Sequence, residues 1–192
     1  MSRKVPEQFR FFFKMRGAIM VPPLLFALFC TWGQLDNKMV LFLLGGCVFC
    51  AGWFIRIWSQ MHLHYRLPQK KILTRTGPYR YTRNPIYIGN TVIIMSACIF
   101  SGLLWFVPVM LVYCAVVYSL VVRYEESHLR NKYGAPYEAF LTQVPRWFSS
   151  LNSKGQSEEA APGAMRYLLP AFRTELYNVV YVLPFMAKQI FY

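Results

Sequence analysis

Three short stretches of the chain carry residues whose types and spacing could do chemistry. The first is Leu73-Thr-Arg-Thr-Gly-Pro-Tyr-Arg-Tyr-Thr-Arg-Asn-Pro-Ile-Tyr-Ile-Gly89. Gly77-Pro78 reads as a turn, and Asn84-Pro85 breaks the chain before a helix, with proline suited to the first helical position. Such a helix start offers free backbone N–H groups and the positive end of the dipole to a carboxylate or phosphate. Tyr79, Tyr81 and Tyr87 add aromatic faces for a base or a cation. On the residues alone, a basic, tyrosine-rich belt at a membrane interface accounts for the stretch equally well. The second stretch is Arg123-Tyr-Glu-Glu126. Two acids at the C-terminal end of an apolar helix oppose its dipole. They could accept hydroxyls or an ammonium, or Glu126 could pair with Arg130 at i,i+4. Adjacent helical side chains diverge by about 100°, so pairing of Glu126 would leave Glu125 facing a site. The third stretch is Tyr133-Gly-Ala-Pro-Tyr137 with Val144-Pro-Arg-Trp147, a helix stop followed by a cap.

The elements that position these stretches are membrane helices. Of 192 residues, 56% are hydrophobic and only 15% charged, against about 25% charge in a soluble domain. Lys and Arg number 21 against 8 acids. In a soluble chain that excess suggests nucleic acid; here it suggests loops facing anionic lipid, and no nucleic-acid partner is expected. The five cysteines all lie in apolar stretches, and Cys47-x-x-Cys50 has no cationic neighbour. They read as small packing residues, without a disulfide framework. His62 and His64, two apart on an interfacial segment, read as solvated; no metal site is expected.

Apolar runs at 17–33 and 39–61 predict two crossings, with Arg56 near enough to the end of the second to snorkel to the interface. The run 85–122 would reach roughly 55 Å as one helix, nearly twice a hydrocarbon core. It must fold back, and Ser101-Gly102 is the corner between spans at 86–100 and 103–122. Four crossings put nearly all basic residues on one side, which the positive-inside rule makes cytoplasmic. Residues 149–164 read as a polar linker. The tail 165–192 reads as an amphipathic or re-entrant helix, with a fifth crossing as the alternative.

GPYRYTRNPIYIG, followed across an apolar hairpin by EE-x-x-L-x-x-x-YG-x-x-Y and VPRW, resembles the isoprenylcysteine carboxyl methyltransferase family and its phospholipid-methyltransferase relatives. The Arg-Ile-Trp ending the second span fits the same pattern. The resemblance covers about residues 52–147. It implies an all-α polytopic membrane bundle of four transmembrane helices, five if the tail spans, with a cytoplasmic S-adenosylmethionine site. Residues 1–148 form the methyltransferase-like domain on this reading. Cofactor contacts are implied from Leu73, Thr74, Tyr79, Asn84, Pro85, Ile86 and Tyr87, and from Glu125 and Glu126 beside the cofactor and the methyl-transfer tunnel. Glu125 and Arg123 are the implied catalytic pair, Arg123 standing in for a basic residue that carboxyl methyltransferases carry one turn before Glu125, where this chain has Val121. Asn84 stands where many members have histidine. The implied acceptor is lipidic or lipidated and arrives from the bilayer. It is either an isoprenylcysteine-type carboxylate or a phospholipid-like amine. A related fold suggests an NADPH-dependent reductase of the sterol-reductase type as an alternative, and a non-catalytic membrane scaffold is a second.

Overall fold

A computed structural model describes residues 7–68, 72–147 and 163–191. These form seven helices: α1 (Glu7–Phe29), α2 (Lys38–Arg66), α3 (Pro85–Phe100), α4 (Phe106–Tyr133), α5 (Ala135–Gln143), α6 (Leu168–Glu175) and α7 (Tyr177–Phe191). Most of the linker expected at 149–164 lies outside the described residues. Local chemistry sets several boundaries. Asn37 caps α2, its side chain accepting from the Val40 N–H at 3.2 Å. Pro85 opens α3, and Gly134, at φ +62°, ends α4.

The expected hairpin is present, and its corner takes a left-handed residue, Gly102 at φ +74°. The α1–α2 turn lies at the same end, where the Leu35 N–H donates to the Gly102 carbonyl at 3.0 Å. Two helices exceed expectation. α1 starts ten residues before the predicted run and contains Pro22 and Pro23; α4 continues past residue 122 to Tyr133, so both glutamates lie on a regular helix. Segments within α1, α2 and α4 are long and apolar enough to cross a bilayer, at Phe9–Phe29, Lys38–Arg66 and Phe106–Tyr133. α3 has 16 residues, about 24 Å of helix against roughly 30 Å of hydrocarbon.

α3 is the centre of the bundle. Every residue from Ile93 to Leu103 is buried, and α1, α2, α4 and α7 all pack on it. A helix that is apolar all round can be enclosed on every side in this way. Its contact with α2 is the most extensive, because glycines let the two backbones meet. A methyl group on Gly52 would lie 3.0 Å from the Gly89 carbonyl oxygen, and one on Gly89 3.0 Å from that of Gly52. Two turns earlier on α2, Gly45 takes the ring of Phe100, whose atoms would come within 2.7 Å of an added methyl. Where lipid supplies no hydrophobic drive between helices, such close approach provides the packing attraction.

The tail is packed on the bundle. The 3-10 turn Ala164–Tyr167 and α6 lie on α2, while α7 lies against α3 with further contacts to α1 and α2. α7 ends at the hairpin end of the bundle, where Lys188 Nζ donates to the Ala27 carbonyl at 3.0 Å and also to that of Cys30.

The α2–α3 crossing yields a paired prediction. Gly52→Val should cost about 1–3 kcal/mol through overpacking against backbone. Gly46→Val, on the same helix with nothing within 4 Å, should leave stability unchanged. Denaturant titration of helicity in detergent micelles checks both.

Candidate functional site

The N-terminal end of α1, the C-terminal ends of α2 and α4 and the start of α3 surround a cavity of about 570 Å³. Leu73, Thr74, Tyr79, Asn84, Pro85, Ile86, Tyr87, Glu125 and Glu126 all line it. Arg123 does not. It is exposed on α4, its guanidinium carbon 5.9 Å from the Phe9 ring centre, because the face that carries the two glutamates inward turns position 123 outward. Tyr81 is also exposed, its ring centre 6.3 Å from that of Trp58.

One wall is the loop between α2 and α3, and two devices hold it. His62, buried at the end of α2, has Nδ1 2.8 Å from Thr76 Oγ1. Its ring lies so close to Gly77, at φ +59°, that a methyl there would fall 2.3 Å away. This contact presses Thr74 and Tyr79 against the cavity. Burial, reinforced by the Glu125 charge, raises the Tyr79 pKa, so its phenol stays neutral. The second device is the Val144–Trp147 segment. Thr82 Oγ1 and Asn84 Nδ2 both donate to the Arg146 carbonyl, at 3.0 and 3.1 Å, and the Arg83 N–H donates to the Pro145 carbonyl at 3.0 Å.

The two glutamates diverge as helix geometry requires. Glu126 is buried and gripped by two guanidiniums. Arg146 binds it through Nε at 3.0 Å and Nη2 at 2.6 Å, and Arg83 Nη1 lies 3.1 Å away. The expected partner, Arg130, pairs with Glu138 of α5 at 3.2 Å. Both of those groups are largely exposed, whereas Glu126 points inward beyond Arg130's reach. The hydrogen bonds to Glu126 raise the Arg146 pKa; burial lowers that of Arg83, with Glu126 opposing. Glu125 instead faces the cavity beside Tyr87, whose ring centre is 4.9 Å from that of Tyr118.

Arg16, Arg56, Asn90 and Tyr177 are among the polar lining residues that sequence reasoning missed. Arg56 does not snorkel. It is buried and binds the Glu175 carboxylate through Nε at 2.5 Å and Nη2 at 2.9 Å. It also donates to Asn90 Oδ1, and to the Tyr177 hydroxyl at 2.6 Å. Glu175 was visible in the sequence only as an acid interrupting the tail, and nothing local ties it to Arg56, 119 residues away.

Two buried polar atoms on lining residues, Thr74 Oγ1 and Arg83 Nε, have no hydrogen-bond partner among the described residues. A buried donor left unpaired is costly, so the wall fits a polar ligand that satisfies them. Removing one guanidinium from Glu126 should loosen the same wall. Arg146→Gln is expected to cost about 1–2 kcal/mol, since Arg83 remains and Arg146 is partly exposed. The measurement is again denaturant titration in micelles.

The phospholipid methyltransferase family model matches residues 38–136, from the start of α2 to the first turn of α5. No curated protein and no solved structure matches the chain. All nine lining residues read from the sequence fall inside the matched segment, whereas α1, α6 and α7 fall outside it. The match covers just over half of the chain, and three helices have the length and apolarity of membrane spans. This integral-membrane chain therefore belongs to the phospholipid methyltransferase family, within the group that also contains the isoprenylcysteine carboxyl methyltransferases.

Proposed function

We propose that the protein transfers a methyl group from S-adenosylmethionine to a lipidic acceptor, at a cavity on the cytoplasmic side of the membrane. The observation that carries this reading is the convergence of loop 72–84, the start of α3 and the end of α4 on one cavity. A polar cofactor and a membrane-borne acceptor can meet there. The basic charge of the chain at that end supports the orientation by the positive-inside rule.

When bound, S-adenosylmethionine supplies a methyl on a sulfonium, whose C–S bond breaks as an acceptor lone pair forms the new C–O or C–N bond. Leu73, Thr74 and Tyr79 would hold it from the loop side, and Asn84, Pro85, Ile86 and Tyr87 from the helix side. Thr74 Oγ1 has hydrogen-bonding capacity to offer. The chain's own contribution is alignment and exclusion of water, which methyl transfer chiefly needs. A carboxylate acceptor requires no base. An amine must lose a proton, and Glu125 is the group placed to take it at a carboxylate oxygen. Glu126, engaged by Arg83 and Arg146, positions the loop rather than the reactants.

Calorimetry with S-adenosylmethionine and with NADPH tests the reading. Binding of NADPH alone would favour a reductase, and binding of neither a lipid scaffold. Tyr87→Ala should weaken S-adenosylmethionine binding by about 1–3 kcal/mol, roughly 5- to 150-fold in Kd. Glu125→Gln should lower labelled-methyl transfer at least about tenfold with helicity unchanged. Glu126→Gln should lose stability first.

A further inference from the structure

The cavity wall has two origins. The loop and helix residues named above belong to the matched segment, but Phe13 and Arg16 come from α1 and Tyr177 from α7, both outside it. α1 and α2 both line the cavity, yet α1 packs on α4 and makes no substantial contact with α2. α7 packs chiefly on α3, touches both α1 and α2, and reaches α1 through Lys188 at the hairpin end. Tyr177, the first residue of α7, lines the cavity at the opposite end of that helix.

The posts of this gap are held differently. Tyr177 is 56% exposed, yet its hydroxyl is fixed by the buried Arg56 and its ring centre lies 5.6 Å from the Arg56 guanidinium carbon. Glu175 makes the clamp rigid. Its carboxylate binds Arg56 and accepts from Asn178 Nδ2 at 2.7 Å, while its carbonyl accepts from Trp53 Nε1 at 3.0 Å. Across the gap, Arg16 is exposed, lies 4.5 Å over the Phe13 ring, donates one N–H to the Phe13 carbonyl at 3.3 Å and, though its charge reaches Glu125, forms no ion pair among the described residues. One post is therefore a rigid aromatic, and the other a cation with donors to give. Leu63 of α2 adds apolar lining between them.

We infer that α1 and the C-terminal segment form the acceptor side of the site. Tyr177 sets the width of the mouth between α1 and α2, and Arg16 holds an anionic group of the acceptor. This rests on the methyltransferase reading above and places recognition of the acceptor's anionic group on residues outside the segment that the family model matches. A carboxylate and a phosphate can each be that group, because a guanidinium fork binds either.

The test uses the full-length protein with S-[methyl-3H]adenosylmethionine and two acceptor probes, farnesylcysteine in micelles and phosphatidylethanolamine vesicles. Tyr177→Ala should raise the half-saturating concentration of the used probe at least about fivefold, and Tyr177→Phe, which keeps the ring, should restore it to within about twofold. Arg16→Gln should raise it at least about fivefold, and the probe affected identifies the anion as carboxylate or phosphate. Cofactor affinity by calorimetry should stay within about twofold in all three. An unchanged value in Tyr177→Ala overturns the acceptor wall, and in Arg16→Gln the anionic headgroup. A parallel loss of cofactor affinity reduces either residue to a structural role and equally overturns its assignment. A wild-type protein that binds no S-adenosylmethionine, or methylates neither probe, counts against the methyltransferase reading instead.

Discussion

The backbone contact between Gly52 and Gly89 is the constraint from which the rest of the site follows. It brings the backbones of α2 and α3 together and leaves no room for a methyl on either side. Arg56 lies one turn further along α2 and Asn90 next to Gly89, so the crossing itself sets them within hydrogen-bonding reach. The same contact fixes the start of α3, and with it Pro85 to Tyr87, as a cavity wall. Larger residues at the crossing would move that wall away from the end of α4, where the glutamates sit.

The two adjacent acids divide structure from chemistry through geometry alone. Helical rotation turns one into a cluster of guanidiniums and leaves the other facing open volume. Glu126 carries two cations from separate loops and so joins the 82–84 segment to the 144–147 strap. Glu125 faces open volume with the Tyr87 hydroxyl as its hydrogen-bonding neighbour and no guanidinium bound to it. A buried carboxylate held between guanidiniums is a fastener; one that no cation grips can exchange a proton or meet a cation.

Much of this was legible in the sequence where the information was local. Asn84-Pro85 and Gly77-Pro78 mark a helix start and a turn by backbone chemistry that needs no distant partner. Ser101-Gly102 marks a corner because the apolar run around it is too long to cross once. The order of the motifs carried the nine lining residues together. What escaped was every pairing across the chain. Arg130 is the local partner for Glu126, but Arg146, 20 residues on, wins because Glu126 points inward. Arg123 looked like the nearest basic substitute, yet helix phase turns it out, and Arg16 of α1 lines the cavity instead. Arg56 looked able to snorkel; a carboxylate 119 residues later buries it. Tyr177 had no local signal, since its place depends on how a tail beyond a polar linker returns to the bundle.

The separation of Arg56 from Glu175 bears on how the protein is made. Chains are synthesised at about 5–20 residues per second, so Arg56 is delivered with α2 roughly 6–24 s before its carboxylate exists. An unpaired arginine on a membrane helix costs a few kcal/mol on insertion scales, a cost that the apolar remainder of α2 must offset during that interval. The segment carrying Glu175 can then dock only onto helices made before it. Until that docking, α1 to α5 stand with an open arginine and an open cavity side, which is the species a quality-control protease or a premature ligand would encounter first.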